Sequence, residues 1–324
     1  MNQLVTITGA GGNAGQAVAA AVAAAGFRIR MADVAPPAAD ILALGEFVRC
    51  DTRTVSDVRR AVEGADAVIH LAAWHSGHVP PVSDATIFSV NVDGTFNVLE
   101  ACREFGVKSI VYSSSMAYGW GSVYSLTKVL GEEMCRAYHE ITGASIAMLR
   151  YHAFVPGPYL EFGPRLLNNG VDRQDVAAAT LAAVQATLER RVELFTTIVH
   201  TAHGIPLDVM DDFARRGPEW LESAVPGAGE LIAKYRLELP DAVEHHDLSE
   251  AASVLGWHPT VGFLEFLRDL QARDARGEDV AALQVSGTLQ PWPRDWRRRG
   301  QTLVNPPSMT TLLPVTIAAS SPAR

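Results

Sequence analysis

The chain is 324 residues long, with 48% hydrophobic and 19% charged residues and a formal net charge of −9. This is globular composition, which excludes collagen-like, disordered and disulfide-scaffold proteins. The acidic balance speaks against a nucleic-acid backbone or an anionic membrane as partner, because both call for a basic face.

The first residues carry no basic segment followed by an apolar one, so no signal peptide is expected. Leu4–Thr8 reads as a strand, a glycine loop follows, and an alanine-rich helix is predicted over 13–25, closed by Gly26. Its most apolar run, Ala17–Ala25, is about half of what a bilayer span needs. Further strands are predicted at Arg28–Ala32, Phe47–Cys50, Ala67–Leu71, Ser109–Ser113 and Ser145–Leu149, and helices at Ser56–Glu63, Ile87–Phe105 and Val123–Ile141. Unbroken apolar strands alternating with helices predict an α/β protein whose parallel, doubly wound (Rossmann-type) sheet is covered on both faces. Residues 1–150 would form this sheet domain, with part of 172–200 returning to it through a strand near Val192–Ile198. Residues 151–287 would form a smaller, mixed substrate-binding lobe. The extension 288–324 holds many prolines and a basic knot at Arg294–Arg299. It reads either as an arm on the body or on a neighbouring subunit, or as a partly ordered surface tail. Cys50, Cys102 and Cys135 are widely spaced. They make neither a disulfide framework nor a zinc motif, so a soluble protein of the reducing cytoplasm is expected.

Gly9, Gly12 and Gly15 recur every third residue between the first strand and its helix. A dinucleotide needs such a loop: glycine permits the tight turn and lets backbone reach a pyrophosphate, and the helix N-terminus offers free N–H groups. Asn13 and Ala14 lie in the same loop. Asp33 closes the second strand, where a carboxylate accepts hydrogen bonds from ribose hydroxyls and repels a 2′-phosphate, favouring NAD over NADP. Arg28 and Arg30 keep NADP open. Asp51, after the third strand, is either an adenine contact or a loop acid.

Tyr124 and Lys128 are four residues apart, on one face of a predicted helix. An ammonium group near the phenol would lower its pKa and make it a usable proton donor or acceptor. The fifth strand ends in Ser113-Ser114-Ser115, at the strand end where an open parallel sheet binds ligands.

Together, these features resemble the extended short-chain dehydrogenase/reductase family, also called the NAD-dependent epimerase/dehydratase family. The resemblance rests on Gly9/Gly12/Gly15, Asp33, His70-Leu71-Ala72-Ala73, Asn91-Val92-Asp93-Gly94-Thr95, the serine run with Tyr118-Gly119, and Tyr124/Lys128. Further landmarks are Arg150 with Pro156-Gly157-Pro158, Asp172-Arg173-Gln174-Asp175-Val176-Ala177, and Leu255-Gly256-Trp257-His258-Pro259. It spans about Leu4 to Leu267 and is poorly specific for substrate. It implies that Tyr124 is the acid/base, that Lys128 holds the nicotinamide ribose and tunes Tyr124, and that a strand-end serine orients the substrate. Counting back from Gly119 selects Ser114, with Ser115 as runner-up. It also implies NAD contacts at Leu71, Ala72 and Ala73, a structural role for Asn91, and a homodimer contacting through the helices around Phe88–Arg103 and Tyr124–His139.

The chain departs from the family pattern in three places. The serine-to-tyrosine spacing is short. No Asp-Glu pair follows the strand-end hydroxyl, which speaks against elimination chemistry. Ala153 stands where nucleotide-sugar epimerases often carry asparagine. The expected substrate contacts are Trp74, His75, Ser76, Ser115, Met116, Tyr118, His152 and Tyr159, with Trp74 and Tyr118 either stacking on a sugar or sealing the pocket. His75/His78 and His200/His203 are each three residues apart, and no cysteine or carboxylate is expected to complete a metal set nearby. No metal is expected, and His245-His246 reads as a polar loop pair. The expected activity is NAD-dependent interconversion of a secondary alcohol and a ketone or lactone on a sugar-like or polyol molecule. The alternatives are an epimerase with transient oxidation by tightly bound NAD, and a non-catalytic NAD-binding protein.

Overall fold

The structure, a computed structural model, describes residues 3–75, 77 and 81–289. Ser76, His78 and all of the expected extension beyond Leu289 lie outside the described residues.

Strands β1 (Leu4–Thr8), β2 (Arg28–Asp33), β3 (Glu46–Arg49), β4 (Ala67–His70), β5 (Ser109–Ser115) and β6 (Ser145–Tyr151) alternate with helices. These are α1 (Asn13–Ala24), α2 (Ala39–Leu42), α3 (Val55–Val62), α4 (Asp84–Phe88), α5 (Gly94–Phe105) and α6 (Val123–Thr142). The C-terminal part adds β7 (Gly157–Pro158), α7 (Tyr159–Arg165), α8 (Arg173–Leu188), β8 (Leu194–Val199), α9 (Leu207–Met210) and α10 (Phe213–Ala224). It ends with α11 (Ala228–Tyr235), α12 (Ser249–Leu255), α13 (Phe263–Ala275) and β9 (Gln284–Val285).

Seven strands form one sheet in the order β3-β2-β1-β4-β5-β6-β8, and every pairing is parallel. The order reverses direction at β1, so the crevice beyond the C-terminal ends of β1 and β4 is the switch point where such sheets bind ligands. Strand β1 is buried at every position, as expected of a strand covered on both faces. One face packs Val18, Val22, Val176, Ala183 and Trp257 from α1, α8 and the segment after α12. The other packs Val58, Val98, Cys102, Cys135 and Tyr138 from α3, α5 and α6. A separate core, built on Tyr159, Phe162, Phe213, Phe263 and Phe266, belongs to the smaller lobe. Asp175 of α8 accepts hydrogen bonds from the Thr260 and Val261 backbone and from the Thr260 hydroxyl, just past the Leu255–Pro259 landmark.

Two boundaries differ from the sequence reading in ways that matter. Strand β5 runs on to Ser115, two residues past its expected end. The helix expected over Ile87–Phe105 starts earlier, at Asp84, with Ser83 capping its first turn. It is then interrupted by a π-helical turn at Ser89–Asp93 before α5. Such turns are frequent at functional sites, and this one carries Asn91, whose side chain binds Trp74 N and O and the Thr127 hydroxyl. The amide thereby ties the loop after β4 to α6.

Candidate active site

A cleft of about 1550 Å³ runs from the β1–α1 loop along the C-terminal ends of β4, β5 and β6. Its floor at the first turn is nearly side-chain-free. A Cβ on Gly9 would lie 2.6 Å from Ala72 N, and φ there is +72°. A Cβ on Gly15 would lie 2.1 Å from the Gly9 carbonyl oxygen. Gly9, Gly12, Asn13 and Ala14 line the cleft. Gly15 does not, and its part is to let α1 close on the loop. No side chain caps α1 and no acid sits in its first turn, leaving its N–H groups and partial positive charge to an anionic ligand. These features fit a dinucleotide pyrophosphate.

Asp33 lies at the end of β2 beside this loop and accepts from Gly11 N at 2.9 Å and Ala35 N at 3.3 Å. Burial pushes its carboxyl up, and the Gly11, Ala35 and Val34 amides offset part of that. Asp51 lines the cleft too. Its carboxylate is held by Arg53 at 2.6 Å. Burial would raise its pKa, but the Arg53 hydrogen bonds prevail and hold it below the usual range. Leu71, Ala72 and Ala73 form the wall after β4.

At the far end of the cleft, α6 presents Tyr124 and Lys128. Tyr124 and Ser115 line the cleft together, the Ser115 hydroxyl near enough to the phenol to pull its pKa down, and Ser115 Oγ accepts from Ala117 N at 3.1 Å. Ser114, expected beside the phenol, also lines the cleft, but its hydroxyl is engaged by another group. Because β5 continues to Ser115, alternation turns Ser114 to the opposite face. There it donates to Glu132 at 2.6 Å. Its cross-strand neighbour Arg150 clamps the same buried carboxylate with two contacts of 2.8 Å.

Lys128 is buried but still lines the cleft. Its Nζ donates to Ser113 O at 2.8 Å and lies 5.7 Å from the Tyr124 ring centre. Burial brings it down to about 8, partly opposed by Glu132. The Tyr124 phenol is also shifted by burial, upward, with the Ser115 hydroxyl pulling the other way. The expected lowering of the phenol by Lys128 is not seen: burial is the leading cause of its shift and Ser115, not the ammonium, opposes it.

Of the expected substrate contacts, Trp74, His75, Ser115, Met116 and His152 line the cleft. The His75 ring stands edge-on to Tyr124 at 6.2 Å. Tyr118 is drawn away by the Arg150 guanidinium, 4.1 Å above its ring. Tyr159 is buried in the smaller lobe, hydrogen-bonded to Asp269 at 2.8 Å. Sequence reasoning missed Gly11, Trp120 and Asn169, and it named Arg173 only as part of a landmark. All four line the cleft. Arg173 reaches the phosphate-loop residue Asn13 at 3.2 Å, and Asn13 in turn donates to Phe154 O and Ser286 O.

Contrary to expectation, a carboxylate does stand near the second histidine pair. Glu244 stands among His152, His203 and His246, with Oε1 3.1 Å from His246 Nε2 and its backbone carbonyl 2.8 Å from His203 Nε2.

Comparison with known proteins agrees with this architecture. The family model described as "NAD dependent epimerase/dehydratase family" matches residues 5–177. Short-chain dehydrogenase/reductase family 42E member 1 of Bos taurus is 34% identical over 115 residues, covering 35% of this chain and 29% of that protein. Uronate dehydrogenase of Pseudomonas putida is 28% identical over 168 residues, covering 47% of this chain and 61% of that protein. The chain thus spans less than two thirds of these relatives. The solved Thermus thermophilus UDP-glucose 4-epimerase complexed with NAD is 24% identical, covers 85% of this chain and 99% of that chain, and superposes with a TM-score of 0.59. A likeness at that identity shows the fold alone.

Proposed function

The chain belongs to the NAD-dependent epimerase/dehydratase family, and from that premise we propose that it is an oxidoreductase converting a secondary alcohol of a sugar-like molecule to a ketone or lactone. The observation that carries this reading is that Ser115, Tyr124 and Lys128 line one end of a cleft whose other end is the glycine loop and Asp33.

Gly9, Gly12, Asn13 and Ala14 would hold a pyrophosphate, and Asp33 an adenosine ribose. NAD bound there supplies the hydride acceptor. The Asp33 carboxylate favours NAD over NADP, since a 2′-phosphate would meet a buried acid. Tyr124 takes the substrate hydroxyl proton in oxidation and returns it in reduction, and Ser115 holds the substrate oxygen beside it. Lys128 keeps a positive charge near the phenolate. His75, Trp74, Met116 and His152 shape the substrate end, and similarity to a uronate dehydrogenase makes uronic acids the first candidates. We extend the reading to a homodimer, supported by the exposure of Phe96 on α5 and Leu126 on α6, and to the cytoplasm, supported by the free thiols of Cys50, Cys102 and Cys135.

The test is NADH absorbance over a panel of polyols, aldonic and uronic sugars and hydroxyketones. Turnover that depends on Tyr124 is expected, and turnover that survives Tyr124→Phe would overturn the assignment. The epimerase alternative draws support from the fold shared with a UDP-glucose 4-epimerase. It would show as NAD retained through purification with no net turnover.

A further inference from the structure

We propose that His152, Glu244 and His246 form a binding site for a divalent transition-metal ion of the zinc class. The three side chains come from distant parts of the chain. His152 follows β6, and its backbone N–H is fixed on Val199 O at 3.1 Å. Glu244 and His246 sit in the loop between α11 and α12 of the smaller lobe. Glu244 Oε1 is 3.1 Å from His246 Nε2 and 4.0 Å from His152 Nε2. One ligand atom from each of the three residues lies within 4.8 Å of the others. Donors on a tetrahedral ion with bonds of about 2.0–2.2 Å stand roughly 3.3–3.5 Å apart, so side-chain adjustments of about an ångström would close the site.

A second observation points to a ligand. The His152 side chain is only 1% exposed, yet neither ring nitrogen makes a hydrogen bond of good geometry. Buried imidazoles ordinarily have a partner. The neighbouring rings leave nitrogens open as well. His200, 4.1 Å from His152 between ring centres, spends Nε2 on Asn168 O, and its Nδ1 has no partner. His203 uses Nε2 on the Glu244 carbonyl and leaves Nδ1 unpartnered. Of these open nitrogens, His152 Nε2 is the one that faces the Glu244 carboxylate, at 4.0 Å.

Two nitrogens and one oxygen suit zinc and its neighbours; magnesium and calcium prefer all-oxygen sets. The ion would tie the lobe to the C-terminal end of β6. Because His152 also lines the cleft, the ion would sit in its wall with a coordination position beyond the three protein donors.

The experiment uses untagged full-length protein, stripped with chelator and titrated with Zn²⁺, then with Co²⁺ as a spectroscopic substitute. Expected are about one ion per chain, the intense visible absorption of four-coordinate Co²⁺, and a melting temperature that rises with Zn²⁺ concentration. Glu244→Gln and His246→Ala, both at solvent-reached positions, should weaken binding at least about tenfold. His245→Ala, next in sequence but turned to Asp211 at 3.5 Å, should bind as wild type. Circular dichroism of the stripped variants checks that they fold. Absence of saturable Co²⁺ absorption in the wild-type chain overturns the proposal whatever the variants do, as does undiminished binding in folded Glu244→Gln and His246→Ala.

Discussion

Two adjacent serines separate the chemistry of this site from its scaffolding. On the proposed reading Ser115 serves Tyr124 at the cleft wall, while the Ser114 hydroxyl donates to Glu132, so their alanine variants should fail differently. Ser115→Ala should lower kcat/KM by about 10²–10⁴-fold, the range of a positioned group acting on the reacting oxygen, with little change in melting temperature. Ser114→Ala should lose about 1–2 kcal/mol of stability and keep most of its activity; the reverse pattern would return the role to Ser114. Lys128 makes a second residue-scale prediction. Burial sets its native pKa near 8, against about 10.4 in an unfolded chain. Between those pH values the unfolded state binds more protons than the native one, so stability rises with pH, by up to about 1.4 kcal/mol per pH unit. Below pH 8 both states are charged and the full cost of the buried charge remains. Lys128→Met should therefore flatten the stability curve between pH 8 and 10 in denaturant titrations and stabilise the protein at pH 7, while its turnover is lost. A variant that keeps the rise in stability would assign it to another group.

Helix α6 delivers Tyr124 and Lys128 to the cleft, and its height above the sheet is set by one missing methyl group. A Cβ on Gly131 would lie 1.8 Å from Tyr112 Oη on β5, and Tyr112 is itself buried. Gly131→Ala must push α6 outward or tilt the tyrosine. It should cost about 1–3 kcal/mol and lower kcat more than KM, because the phenol moves relative to Ser115. Unchanged melting and turnover would show that the contact relaxes freely. The existence of these elements was legible in the sequence: alternating apolar strands and helices marked six sheet strands, a seventh near 192–198, and the glycine loop. Their ends were not. Ser114 and Ser115 are chemically identical in sequence, and only the β5–β6 pairing, carried through Ser115↔Tyr151, decides which face each hydroxyl takes. The π-helical turn at Ser89–Asp93 was equally hidden, because inserting one residue into a helix leaves the apolar spacing nearly intact.

At the scale of the whole molecule, the second core and the histidine cluster depend on tertiary contacts that sequence spacing cannot report. Glu244 is 92 residues from His152, and no local pattern pairs them. Association of two copies belongs to the same scale. Among the described residues, Phe88, Phe96 and Leu126 are 37%, 55% and 48% exposed, on the consecutive helices α4, α5 and α6. Single exposed apolar residues are ordinary. Three on neighbouring helices of one face of the sheet fit an isologous contact in which the same two helices of each copy pack together. Burying a phenylalanine or leucine contributes about 1.5–3 kcal/mol. Replacing both Phe96 and Leu126 by glutamate should then weaken the dimer by at least about 10²–10⁴-fold, before the cost of buried charge. Light scattering on a sizing column should show a wild-type dimer and a monomeric Phe96→Glu/Leu126→Glu variant whose NAD affinity is unchanged, since neither residue lines the cleft. A monomeric wild type at every concentration would end the dimer proposal, and a double variant that remains dimeric would move the interface to another face.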